Sequence, residues 1–459
     1  MLFSSVGFLF RFLPIFMILY LIVPAKYRNA VLLLGSLIFY GVGEPYFVLL
    51  LILSILMNYA MNCLLFLHRN RAVLSMTIFL DFGLLFLFKY WDFTASTFQK
   101  IMGKPLMPML YLALPLGISF YTFQMVSYQI DCYRGDIEKP VGLLEFGTYV
   151  SLFPQLIAGP IVKYTEVAER LQKRKLTARG IENGLKLFTI GLGFKVLLAN
   201  QIGTLWNTIM TAGAGSLAVP IAWLGAFAYS FQIYFDFWGY SLMAVGLGKM
   251  LGFVLPRNFN NPYVAKSVTQ FWRRWHITLG RWFREYVYIP LGGNRKGKAR
   301  TILNLFLVWA FTGLWHGAAW NFVVWGILFF FLQILEKNGL GAKLEKSKVI
   351  GHLYMIILIP VTWVIFAITD GQQLLAYLGN LIGIHSGRIL VGMTQFGRYL
   401  KEYWWLLLLC ILFSTSYPKK FYNKKKDTWY MIGILLIVFW LSVHEIIVGS
   451  NNPFLYFRF

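Results

Sequence analysis

Six histidines are spread along the 459 residues, and His316 stands where an ionisable side chain is costly. It lies in VWAFTGLWHGAAWNFVVWG, inside the most apolar stretch of the C-terminal half. Ionisable residues at membrane depth usually mark a pathway or a catalytic group, and a neutral imidazole suits general-base work on a hydroxyl. A structural bond to a backbone carbonyl is the plainer alternative. Gly313, Gly317, Ala318 and Ala319 flank the histidine, so another backbone or a linear substrate can come close, as an acyl chain would need. Trp315 and Asn321 in the same run, with Tyr234 further upstream, are candidate supporting residues.

His276 is the second candidate. It falls in QFWRRWHITLGRWFREYVYIPLGG, residues 270 to 293. Read as one helix at about 100° per residue, the segment gathers Arg273, Arg274, Arg281 and Arg284 in one arc. Phe271, Trp272, Trp275, Leu279, Trp282, Phe283 and Tyr286 fill the other side, with His276 on the apolar edge. Such a helix is too charged to cross a bilayer and belongs at the cytoplasmic interface or in a re-entrant element. Its arginines meet lipid headgroups, or with Arg295 and Lys296 they form a funnel mouth for a phosphate-bearing ligand. Guanidinium forks suit phosphate, and the Trp surfaces suit a flat base or a thioester arm. The other four histidines, His68, His352, His385 and His444, stand near span ends or in loops, where a solvated or headgroup-facing role is expected.

Asp236, in SFQIYFDFWGYS, is an acid inside an apolar run; it caps or pairs with an arginine of the interfacial segment, or it orients a catalytic histidine. Gln155 and Lys163, around the break in PQLIAGPIVKY, line a polar tunnel or satisfy broken backbone. No Gly-x-Ser-x-Gly elbow, HExxH site or P-loop occurs, and Gly191 with Gly193 makes no nucleotide fingerprint. Cys63, Cys132 and Cys410 are far apart and imply neither a disulfide framework nor a zinc site.

The elements that must position these residues are membrane helices. The chain is 58% hydrophobic and 13% charged, against about 25% charged in soluble domains, and no long hydrophilic block interrupts the apolar runs. With ~20 apolar residues per crossing, spans are expected near 6 to 23, 46 to 67, 72 to 90, 184 to 206, 217 to 235, 300 to 318, 319 to 335, 349 to 369, 402 to 416 and 429 to 449. Stretches near 29 to 42, 106 to 134, 142 to 162 and 236 to 255 are shorter or interrupted by polar residues, and are expected to build an interior. The opening MLFSSVGFLFRFLPIFMILYLIV, with no basic n-region and no cleavage site, reads as a retained first span.

The net charge of +24 sits between spans, with seven basic and three acidic residues over 163 to 186 and ten basic against one acidic over 257 to 300. KKFYNKKK at 419 to 426 adds to it. By the positive-inside rule these loops face the cytoplasm, which makes nucleic acid an unneeded partner. Without internal repeats or low-complexity linkers, residues 1 to 459 read as a single integral domain with its most specific core over 105 to 330.

Five blocks carry a family resemblance: LPLGISFYTFQ at 114 to 124, FPQLIAGPIVKY at 153 to 164, QIYFDFWGYS at 232 to 241, RNFNNPYVAKSVTQFWRRWHITLGRWFREYVYIPLGGNR at 257 to 295, and GLWHGAAWNFVVWG at 313 to 326. The opening FSS and the ending NPFLYFRF agree with them. Over essentially its whole length the chain resembles the membrane-bound O-acyltransferase (MBOAT) family, in particular its bacterial alginate O-acetylation branch. The resemblance implies an all-α polytopic bundle of roughly 10 to 12 transmembrane helices, with re-entrant or interfacial helices around a central tunnel. It makes His316 the catalytic histidine and His276 its companion.

It further implies no bound cofactor, acetyl-CoA as the acyl donor and a multi-pass place in the bacterial plasma membrane. An extracytoplasmic SGNH-type acetyltransferase partner would pass the acetyl group to a surface polysaccharide. A lipid, teichoic acid or protein acceptor is the alternative within the enzyme class, and a polysaccharide or lipid transporter the alternative outside it. One departure bears on the acceptor: alginate-type members carry an acid two residues after the Tyr of their GYSD sequence. This chain has Tyr240, Ser241, Leu242 and Met243 there, with Trp238 where a small residue is common.

Overall fold

Apolar backbone in lipid satisfies its N–H and C=O groups only within helices or closed barrels, and this chain takes the helical solution. The computed structural model describes residues 1–385, 388–449 and 455, and no strand occurs among them. The ending at 452 to 459 lies outside the described residues except for Leu455. Among the described residues, six helices are long and apolar enough to cross a membrane: Phe47–His68, Arg71–Met102, Ala178–Thr211, Trp320–Lys346, Ile350–Ala367 and Trp429–Val448. Each contains or overlaps an expected span. The protein is an all-α polytopic membrane protein.

The other apolar stretches are also helical. The expected spans at 300 to 318 and 402 to 416 fall in Gly297–His316 and Met393–Ser414. The stretch at 29 to 42 is the helix Arg28–Gly43, and those at 217 to 235 and 236 to 255 merge into Val219–Met250. The interrupted stretches behave as their polar residues require. Ile118–Arg134 buries almost every side chain, polar ones included. The helix Leu143–Ser151 stops before Pro154, and a further turn, Phe153–Leu156, is wholly buried.

Packing divides the chain into two compact units, Met1–Phe188 with Tyr240–Arg257, and Thr189–Gly239 with Asn258–Phe459. In the first, a polar network joins three helices. Asn58 Nδ2 donates to Asp81 Oδ1 at 2.7 Å, Gln129 Nε2 donates to the Asn58 carbonyl at 2.8 Å, and Asn62 Nδ2 donates to Gln129 Oε1 at 3.2 Å. Buried amides and acids stay at membrane depth only when they satisfy one another in this way.

In the second unit the helices Gly297–His316 and Trp320–Lys346 pack against each other along a seam of small residues. A side chain on Gly313 would collide with the Phe322 carbonyl, and one on Gly326 with that of Trp309. The small residues beside His316 thus admit a neighbouring helix: Gly317 is covered by the Phe322 ring.

Candidate functional site

The basic aromatic segment is not one helix. Val268–Trp272 ends, the chain turns through Arg273–His276, and a second helix runs from Ile277 to Phe283 and continues as the π-helical turn Arg284–Tyr288. The break occurs at His276, whose φ of +43° is left-handed. A non-glycine residue in that region costs about 1–3 kcal/mol and persists only where its surroundings hold it. Here Asn258 holds it. Its carbonyl accepts from Ile277 N at 2.9 Å, and its side-chain Oδ1 accepts from Thr278 N at 3.3 Å and Thr278 Oγ1 at 3.0 Å. The same Oδ1 lies 3.1 Å from His276 Nδ1.

The break corrects the single-helix projection: Arg273 and Arg274 belong to the turn, whereas Arg281 and Arg284 sit on the second helix. Arg273 and Arg284 are exposed, and Arg274 and Arg281 half-buried. The aromatic side is buried as its composition requires. Trp275 stacks on Phe271 at 5.5 Å and packs on Trp363 at 4.8 Å; Trp272 meets Trp309 at 5.0 Å and Trp325 at 5.5 Å.

His276 is only 1% exposed, with Phe237 edge-on to its ring at 4.7 Å. Burial pushes its imidazole well below the ordinary histidine value, to about 3, so it is neutral at working pH. His316, 6% exposed, closes the C-terminus of Gly297–His316 and is walled by Trp315 at 4.9 Å, Trp325 at 5.2 Å and Phe366 at 5.2 Å. The Trp315 ring also lies 5.8 Å from that of His276, so one indole touches both imidazoles. Asn321 ties its helix to the one that carries Phe366: its Nδ2 donates to the carbonyls of Ile365 and Phe366 at 3.2 and 3.0 Å.

The remaining candidates are placed differently. Asp236 pairs with Lys195 at 2.7 Å and accepts from Leu455 N at 2.9 Å, so its partner is neither an arginine of the basic segment nor a histidine. Tyr234 is buried in the aromatic cluster, stacked on Trp238 at 5.1 Å and 5.9 Å from Trp275. Gln155 belongs to the first unit, where its Nε2 donates to the Tyr149 carbonyl at 2.8 Å across the helix break.

Sequence reasoning passed over Asn258, Lys195, Trp325 and Phe366. Asn258 reads as an ordinary polar residue of a basic loop, Lys195 as one cation among many, and the two aromatics as core.

Both buried imidazoles lie in sequence blocks that carry the family resemblance. The model of the membrane-bound O-acyltransferase family matches residues 74–369, an interval that contains both histidines. The chain belongs to that family. Among relatives of this O-acyltransferase, a probable alginate O-acetylase of Pseudomonas putida is 34% identical over 494 aligned residues, covering all of both chains. A peptidoglycan O-acetyltransferase of Helicobacter pylori is 31% identical over 523, covering 100% of this chain and 98% of that one. A teichoic acid D-alanyltransferase of Bacillus subtilis is 28% identical over 253, or 53% of this chain and 62% of that one. In this O-acyltransferase both histidines are buried among aromatic rings, with the Trp315 indole in contact with each of them.

Proposed function

We propose that this O-acyltransferase takes an acetyl group from cytoplasmic acetyl-CoA and passes it through a tunnel in the bacterial plasma membrane, for O-acetylation of an extracytoplasmic polysaccharide. An extracytoplasmic SGNH-type acetyltransferase is the proposed next carrier. The observation that carries the reading is the contact of Trp315 with both His276 and His316 among buried aromatic rings. The names of the alginate and peptidoglycan relatives support acetyl as the group and a surface polymer as its destination.

In the proposed step the acceptor hydroxyl gives its proton to the neutral His316 as its oxygen bonds to the thioester carbonyl carbon. The C–S bond then breaks, and the proton passes from His316 to the departing thiolate. General-base catalysis of this kind contributes ~10² to 10⁴ in rate, and holding hydroxyl and thioester in line adds to it. Arg273, Arg274, Arg281 and Arg284 serve the phosphates of the donor at the cytoplasmic mouth, and Trp272 and Trp275 anchor the segment that carries them.

The test is acetyl transfer from labelled acetyl-CoA by purified protein in proteoliposomes. His316→Ala, folded and inserted, is expected to abolish turnover. Turnover near the wild-type rate overturns the assignment.

A further inference from the structure

The hydrogen bonds around Asn258 determine which nitrogen of His276 carries its proton. A backbone N–H can only donate, so the Asn258 side-chain atom facing Thr278 N must be the carbonyl oxygen and not the amide nitrogen. The Thr278 hydroxyl donates to the same atom. That oxygen is an acceptor with no hydrogen of its own, so His276 Nδ1, 3.1 Å away, must be the donor. A neutral imidazole with hydrogen on Nδ1 has a bare lone pair on Nε2. This Nε2 is buried and has no hydrogen-bond partner among the described residues. Its ring neighbours, Phe237 and Trp315, carry no ionisable group, and Asn258 and Thr278 are neutral.

A bare Nε2 cannot donate to a thioester carbonyl oxygen, so His276 does not polarise the acyl group; it must receive an N–H or O–H from the substrate. Of the groups on a coenzyme A thioester, the pantetheine arm carries a secondary amide N–H two carbons from the sulfur. Resting on the donor class proposed above, we infer that Asn258 is a positioning residue that locks His276 as an acceptor for this amide N–H, setting the register of the thioester against His316. His276 thereby reads a feature common to all pantetheine thioesters, whether free coenzyme A or carrier-bound.

The experiment compares two small acetyl donors with the full-length protein: the acetyl thioester of N-acetylcysteamine, which keeps this amide N–H, and its N-methyl analogue, which lacks the hydrogen. Wild type is expected to favour the first by about tenfold or more in kcat/KM, the scale of one buried hydrogen bond to a site left unpaired by the analogue. In Asn258→Leu the preference should collapse towards unity, chiefly through KM.

Asn258→Asp, close in size, keeps an acceptor oxygen for Thr278 and tests the lock without relying on the Leu variant's folding. Its carboxylate favours the imidazolium, in which Nε2 becomes a donor, so the preference should be lost on acidification at a higher pH than in wild type. Equal use of both donors by wild type overturns the inference and leaves the acyltransferase reading standing. Loss of acetyl-CoA turnover in wild type would instead overturn that reading. A preference that survives unchanged in both Asn258 variants also refutes the positioning role.

Discussion

Lys195 Nζ lies 2.7 Å from Asp236 Oδ1, with both side chains almost completely buried. Lys195 also donates to Asn200 Oδ1 at 2.7 Å, and Asp236 Oδ2 accepts the backbone N–H of Leu455, so each charge has a second polar contact. Close approach is built into the backbone, since a side chain on Gly239 would strike the Gly191 carbonyl and the Lys195 backbone. Removing one member of a buried pair leaves an uncompensated charge and costs about 3–5 kcal/mol. Lys195→Met and Asp236→Leu are each expected to lower the Tm of the detergent-solubilised protein sharply. The double variant should recover much of the loss, because no lone charge is left. A double variant as unstable as the sum of the singles would contradict a pairwise role.

The arginines of the basic segment predict a division between binding and chemistry. If Arg273, Arg274 and Arg281 meet the donor phosphates, charge reversal at any of them raises KM for acetyl-CoA several-fold while kcat stays within about twofold. The KM effect should shrink as salt rises, most for the exposed Arg273, because exposed charges are screened within about 10 Å at 0.1 M. Steady-state kinetics at two ionic strengths checks this. An unchanged KM would return the segment to a headgroup anchor.

Much of the fold was legible because lipid leaves few options: length and hydropathy set the spans, and polar interruptions in 118 to 132 and 153 to 156 marked buried backbone. His276 and His316 also stood out, as ionisable groups in apolar company. Three things did not follow from the sequence. The helix break at His276 was hidden because HITLGRW carries no Pro and its Gly280 lies past the turn; the left-handed residue is held by tertiary bonds from Asn258. The partner of Asp236 was hidden because Lys195 lies 41 positions away in a different apolar run. Asp81, in TIFLDFGLLF, is as deeply buried as Asp236 but pairs with a neutral amide, Asn58, which charge counting does not register.

The seam beside His316 carries its own prediction. Gly313→Ala and Gly326→Ala each place a methyl against the carbonyl oxygen of the facing helix, and overpacking of this kind costs about 1–3 kcal/mol. Each variant should lower Tm, and because Gly313 lies one turn before His316, Gly313→Ala should also reduce kcat. Wild-type thermal stability in both variants would show that the helices separate without penalty.

Glu336 holds the start of the basic segment, and on the proposed reading its removal should be felt in donor binding. Its carboxylate accepts from Val268 N at 2.6 Å and from Thr269 N and Oγ1 at 2.8 and 2.7 Å, capping the short helix Val268–Trp272. Glu336→Ala orphans these donors, at about 1–3 kcal/mol for each one left buried and unpaired. Because Arg273 follows this helix directly, the loss should appear both as a lower Tm and as a raised KM for acetyl-CoA. Glu336→Gln retains one acceptor oxygen and is expected to fall between Ala and wild type in both measurements. A Glu336→Ala variant with a lowered Tm but an unaltered KM would separate the cap from donor binding and confine Glu336 to stability.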